Sequence, residues 1–348
     1  MRICLLTTQD LDEDPFPDDD WPCDPRPFLP EAEWHVAVLE GKHDCIPHVE
    51  ELITQDFDLF FNLCDGSSEE DSPGIEVIKT LERHKVPYAG ACSDCYEPTR
   101  AQMKKACRKL GIATPKHVFA RNEADIEKAS KKLKFPLFVK HHNSYASLDI
   151  SRRSKVMTPE GLNIQARKII SLHGTALIEE FIEGSECTVL VAENPKNPKK
   201  PITYPPAQYI FPKGDSFKHS DLKWVDYSGL SAIEVKDPVL SKRLQDETAR
   251  FFVELKGASF GRCDIRVAED GTTYMLEINS NCGIYYPKAD WSSADVCLSF
   301  DPEGHEGFTR LLVEAALARH RRLHRSSSRK GSRKTARKTV KKSARQKS

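Results

Sequence analysis

No apolar run in this chain approaches the roughly 20 residues that a transmembrane helix requires. The opening MRICLLTTQD is too short in its apolar stretch for a signal peptide, so a secreted product is not expected. Internal repeats are lacking, which excludes solenoids and propellers. The 11 cysteines are odd in number and irregularly spaced, so a disulfide framework is excluded and a reducing compartment is expected. A single CxxC, Cys92-Ser93-Asp94-Cys95, has no second pair and no nearby His cluster. Packing or loop cysteines, rather than a zinc or redox role, are therefore expected there. The segment Arg319–Ser348 has no acidic residue and no Phe, Trp or Tyr.

That segment holds 14 of the 52 Lys/Arg, so the remainder carries 38 basic against 52 acidic residues and the neutral total conceals an acidic body with a basic tail. Such a tail binds polyanions by counterion release or merely solubilises. Without aromatics it is not suited to base stacking. At 348 residues the chain can build two or three domains with real cores.

The densest chemistry lies in Gly261–Pro287, GRCDIRVAEDGTTYMLEINSNCGIYYP. Arg262–Ala268 and Thr273–Asn279 alternate apolar and polar positions around Asp270-Gly271, a pair suited to a two-residue type I′ turn. In that register Asp264 lies opposite Glu277 and Arg262 opposite Asn279, all on one face. Directly opposed carboxylates repel, and a divalent cation gives a reason to tolerate them. Asp264, Glu277 and Asn279 offer the hard oxygen donors that Mg²⁺ takes beside nucleotide phosphates. Arg262 adds a fork suited to phosphate oxygens. The alternative is a solvated hairpin with surface charges.

Elsewhere the pattern alternates. Strands are expected at Arg2–Thr8, Trp34–Leu39 and Asp58–Leu63, with helices at His48–Gln55 and Gly74–His84, which argues a parallel sheet covered by helices. Between the first two strands, Gln9–Pro30 reads as an acidic, proline-rich surface loop. Helices follow at Pro98–Leu110, Ala124–Lys134 and Pro159–Ser171, among strands at His117–Ala120, Pro136–Lys140 and Ala176–Phe181. Pro212–Gly229 is a long polar loop. Asp237-Pro238 opens a helix that Gly257 ends, and Asp301–His320 is the last amphipathic helix.

In this order the pieces FNLCDG, LERHKVPYAGA, LGIATP, FPLFVK, IEEFIEGSE and GRCDIR…MLEINSNCG resemble the ATP-grasp superfamily, and within it the D-alanine–D-alanine ligase branch, over Asp58–Ala318. The resemblance implies an α/β fold with an N-terminal parallel-sheet domain (1–97) and two α+β lobes clamping ATP, a central one (98–183) and a C-terminal one (184–320). A disordered basic tail (321–348) follows.

It also implies site roles. Lys140 and a lysine on the preceding helix reach the nucleotide phosphates, the latter being Lys104 in preference to Arg100. Ser147 donates from the phosphate-covering loop, which here contains no glycine. Glu179, the Glu180 carbonyl and the Ile182 amide read adenine, with Phe181 packed beside them, and Glu186 accepts from the ribose. Asp264, Glu277 and Asn279 hold two Mg²⁺, with Mn²⁺ as an alternative ion. Arg262, Lys218 and the backbone at Gly283 meet the transferred phosphoryl group.

The implied activity is an ATP-dependent carboxylate–amine ligase. It forms an acyl phosphate from a small carboxylic or amino acid, joins it to an amine, and releases ADP and phosphate. The acceptor half departs from the family. DLDEDPFPDDDWPCDPRPF replaces the glycine-rich Ser/Glu loop after the first strand, and SNCGIYYP follows the metal Asn. D-alanine is therefore not assigned. Rival readings are a nucleotide-binding ATP-grasp protein without ligase activity and a nucleic-acid-associated protein acting through its tail. No membrane association is expected. The branch often forms homodimers, and the cytoplasm is the expected location, with the nucleus as the alternative that a basic tail allows.

Overall fold

The run RICLLT becomes β1 (Arg2–Thr7), whose alternate residues face two different cores. The computed structural model describes residues 1–13, 16, 22–68, 70–143, 149–220, 222 and 229–344, with backbone only from 325 onward. With β2 (Glu33–Val38), β3 (Leu59–Asn62) and β4 (Tyr88–Ala89), β1 forms a parallel sheet in the order β2-β1-β3-β4. On one face α1 (Cys45–Ile53) and α2 (Ile75–His84) cover Cys4, Leu6 and Phe60 with Val49, Leu52, Ile78 and Leu81. Both faces are buried, as near-continuous apolar strands require.

A second, antiparallel sheet runs β5 (His117–Ala120), β8 (Ala176–Glu180), β6 (Leu137–His141), β7 (Lys155–Val156) in spatial order. Behind it lie α4 (Glu123–Lys132), capped by Asn122, and α5 (Pro159–His173), capped by Thr158. The third sheet is ordered β12 (Ser231–Glu234), β11 (Ala207–Ile210), β9 (Ser185–Ala192), β13 (Phe260–Val267), β14 (Thr273–Asn279), with β10 (Ile202–Thr203) also on β9.

Two findings differ from the sequence expectation. Helix α3 (Arg100–Leu110), grouped there with the central lobe, packs on the third sheet. Its Met103, Ala106 and Cys107 share a core with Val189, Ile265, Met275 and the Phe251–Phe252 pair of α6 (Pro238–Glu254). The sequence shows an apolar stripe on α3 but not what the stripe faces. Second, the last helix, α8 (Gly304–Ala344), continues past His320 into the basic tail. Arg, Lys and Ala favour helix locally, which prolongs the backbone past the packed turns. Its packed part, Phe308, Leu312, Val313 and Ala316, joins α7 (Ser293–Ser299) in a core shared by Ile3, Leu5 and Phe61 of the first sheet and Leu190 and Phe260 of the third. Arg319 and Arg322 then pair with buried Glu193, and Arg319 also donates to the Tyr88 carbonyl.

Candidate active site

The hairpin β13–β14 reaches the expected pairing by an unexpected route. Its turn is not the two-residue type I′. The Ala268 amide donates to the Thr272 carbonyl and the Gly271 amide to the Ala268 carbonyl, enclosing a three-residue loop with Gly271 at φ +81°. That conformation suits glycine, which has no Cβ to clash. This moves the outer register by one, pairing Ile265 with Met275. A bulge between Asp264 and Ile265 then restores Asp264 opposite Glu277 and Arg262 opposite Asn279. The extra residue is Leu276, so Leu276 and Glu277 line the same cavity although adjacent in sequence.

That cavity lies between the second and third sheets. Arg262 donates to both Asp264 oxygens at 3.2 and 3.0 Å, and Thr188 on β9 donates to Asp264 at 2.8 Å. Burial opposes ionisation of Asp264, but Arg262, Lys218 and these hydrogen bonds hold its carboxyl down to about 2. Glu277 is ion-paired with Arg100 of α3. One turn along the same helix, Lys104 is ion-paired with Glu179 and donates to the Thr114 hydroxyl at 2.6 Å. Lys140, at the end of β6, meets the other Glu179 oxygen at 2.9 Å. Thus both candidate cations of α3 face the site, each holding a different carboxylate. The spacing of four residues puts them on one helical face.

Glu179 and Lys104 are each 2% exposed. Burial pushes the Glu179 carboxyl up, yet the two ammonium groups hold it well below the usual carboxylate range. Burial pulls Lys140 from 10.5 down to about 8 against Glu179, with Arg100 and Lys104 adding to the depression.

At another part of the cavity, Phe181 lies with Phe138 and Phe217, whose rings contact one another at centroid distances of 5.0–6.0 Å. Phe217 belongs to the long polar loop, of which 221 and 223–228 lie outside the described residues, and with Lys218 it lines the cavity. Arg152 holds Asp215 at 2.8 Å, and the Ser220 amide donates to the Ile150 carbonyl. Lys218 from this loop sits over the Tyr209 ring at 3.3 Å and near Ser293. Glu186 is buried, and burial raises its carboxyl despite Lys218 and Arg266.

Gly283 donates nothing by side chain. A Cβ there would stand 2.6 Å from the Tyr286 hydroxyl oxygen, and the Gly283 carbonyl accepts from Ser292 at 2.7 Å. The Asp24 amide donates to the Tyr285 carbonyl at 3.3 Å, so the acidic insert touches the SNCGIYYP segment. Ser147 lies outside the described residues.

Sequence reasoning missed Arg266. Strand alternation places it on the face of Arg262 and Asp264, and that signal was present. Arg266 donates to the Ile182, Gly184 and Ser216 carbonyls at 3.0, 3.0 and 2.7 Å and reaches Glu186 at 3.4 Å. It therefore ties the Ile182–Gly184 segment, Glu186 and the loop residue Ser216 together. Leu276 was missed because a bulge leaves no periodic signature.

The donor set suits a divalent cation. Asp264 is held ionised, Glu277 is its direct cross-strand partner, and Asn279 adds an amide oxygen two positions along the same strand.

Comparison with known proteins agrees with this geometry. The family model described as D-ala D-ala ligase C-terminus matches residues 107–287. The chain is 28% identical over 239 residues to a D-alanine–D-alanine ligase of Pseudomonas fluorescens, covering 68% of this chain and 69% of that protein. It is 28% identical over 248 residues to the corresponding ligase of Xanthomonas axonopodis pv. citri, covering 67% and 71%. The solved D-alanine–D-alanine ligase of Bacillus anthracis complexed with ATP superposes with a TM-score of 0.66 at 19% identity, over 92% of this chain and 98% of that one. VanG D-Ala:D-Ser ligase of Enterococcus faecalis gives 0.66 at 15% identity, over 90% and 99%. These structures carry the same fold. With more than half its length matched by the family model, the chain belongs to the D-alanine–D-alanine ligase family, ATP-dependent ligases that form C–N bonds on an ATP-grasp fold.

Proposed function

We propose that the chain activates a small carboxylic or amino acid as an acyl phosphate and joins it to an amine, releasing ADP and phosphate. One observation carries the reading. A single cavity brings the Arg262–Asp264–Glu277–Asn279 face within reach of Lys104, Lys140 and Lys218, a set suited to γ-phosphoryl transfer.

In this reading Glu179, the Glu180 carbonyl and the Ile182 amide orient adenine beside Phe181, and Glu186 accepts from ribose. Lys104 and Lys140 turn from Glu179 toward phosphate oxygens, and Arg262 offsets charge on the group in transfer. Asp264, Glu277 and Asn279 would hold Mg²⁺, or Mn²⁺, which supplies charge neutralisation at the phosphates. The backbone at Gly283 lies beside the transferred group. Lys218 and Phe217 cover the site, which excludes water from the acyl phosphate. No nucleophilic side chain is required, because positioning supplies much of the rate.

The acid and the amine are small molecules. The altered insert and the SNCGIYYP segment favour acceptors other than D-alanine. The cytoplasm, where ATP and such acids occur together, suits this activity. The test is ADP and phosphate release across a panel of amino acids and small carboxylates, with hydroxylamine replacing the amine to trap a hydroxamate. Trapping should need Mg²⁺ and fail in Asp264→Asn. AMP and pyrophosphate as the stoichiometric products would overturn the mechanism.

A further inference from the structure

Cys92 and Cys95 close a tight turn in which the Cys95 amide donates to the Cys92 carbonyl at 3.0 Å, and their Sγ atoms stand 3.1 Å apart. Cys95 is buried, while Cys92 is partly exposed. The two residues between them are both tied down. Ser93 donates to Glu82 through its amide at 3.0 Å and its hydroxyl at 2.6 Å, and Asp94 accepts from Lys256 at 2.8 Å. The turn is thus held from α2 on one side and from the segment after α6 on the other. Closing the sulfurs to the ~2.05 Å of a disulfide takes about 1 Å of movement.

We propose that Cys92 and Cys95 are a reactive dithiol, a modification site at which a small-molecule disulfide oxidises the pair to an intramolecular disulfide. The Cys92 thiolate attacks one sulfur of the small disulfide, forming a mixed disulfide and expelling one thiolate. Cys95 then gives up its proton and attacks the Cys92 sulfur. The protein disulfide forms, a second small thiol leaves, and two electrons pass to the small molecule.

The electrostatics support Cys92 as the attacking sulfur. The Cys95 hydrogen bond, nearby amides and the Arg319 guanidinium lower its thiol to about 7 against burial. The same hydrogen bond and burial push Cys95 up, which suits the resolving partner. When protonated, Cys92 is also 3.6 Å from the Lys256 carbonyl. Among the other described cysteines only Cys23 is partly exposed, and the rest are buried. The proposal does not depend on the ligase reading.

The test uses the full chain, reduced, freed of reductant and exposed to oxidised glutathione at neutral pH. Intact mass after acid quench should show loss of two hydrogens, mapped to the peptide carrying both cysteines. Cys95→Ser should accumulate glutathione on Cys92. Cys92→Ser should slow oxidation at this turn at least about tenfold, while Cys23→Ser leaves it unchanged. Iodoacetamide labelling of Cys92 in the unaltered protein should be half-maximal near pH 7, which needs no variant to fold. Retention of all 11 thiols under this treatment, first modification at Cys23 or Cys95, or labelling of Cys92 that rises only near the ordinary ~8.5, would each overturn the proposal.

Discussion

Glu179→Gln tests the charge arrangement at the centre of the site. The substitution keeps shape and removes the one carboxylate between Lys104 and Lys140, both buried. Burial already holds Lys140 down at about 8, so at pH 7 loss of its proton limits the further cost of the substitution. Lys104 keeps the Thr114 hydroxyl but loses its counter-charge. Breaking a buried ion pair by removing one partner costs about 3–5 kcal/mol, and we expect a destabilisation in that range.

The sign with pH follows from proton counting. Lysines with folded pKa below the unfolded value bind fewer protons in the folded state across that interval, so stability rises with pH there. The destabilisation should therefore be largest at pH 7 and shrink toward pH 10. In the parent protein Glu179 acts in the opposite sense. Its folded carboxyl is depressed, so its contribution is present above the unfolded carboxylate range and is lost as pH falls through the folded value. Urea unfolding followed by tryptophan fluorescence at pH 7 and 9.5 measures the destabilisation and its decrease with pH. A loss below about 1 kcal/mol that is flat with pH would refute the reasoning, because it would mean that Glu179 does not hold the two ammonium groups.

Three further outcomes are expected. Glu277→Gln should abolish Mg²⁺-dependent ATP turnover while leaving the far-UV spectrum unchanged; a variant as active as the parent would remove Glu277 from the metal set. Arg266→Met should raise the KM for ATP about tenfold or more with a smaller change in kcat, since it frees the hinge carbonyls and Glu186 together; steady-state kinetics at varied ATP read the split. Truncation after His324 should preserve turnover and weaken heparin binding with a shallower salt dependence. A cut after His320 should be less stable, because it removes Arg322 from buried Glu193.

The sequence determined the local elements and the face of the hairpin. Asn122, Thr158 and Asp237 cap helices because short polar side chains reach the first free amides, and such signals are local. The parallel first sheet followed from alternating strand and helix patterns. Asp264, Glu277, Arg262 and Asn279 were legible because strand side chains repeat every two residues. Their pairing came out correctly through two departures that cancel, a longer turn and a bulge, and neither is written in the alternation.

Only the tertiary structure decided what meets across chain segments far apart in sequence. Only the family resemblance singled out Arg100 and Lys104, whose pattern is that of polar helix positions; the docking of α3 on the third sheet delivers them to Glu277 and Glu179. Arg266 gains its role because β9 lies beside β13 and brings Glu186 opposite it. Cys92 and Cys95 look like ordinary loop cysteines until Glu82 and Lys256 hold their turn from two sides. In each case periodicity reports which side of an element is buried, while the partner depends on packing between elements, which one sequence does not encode locally.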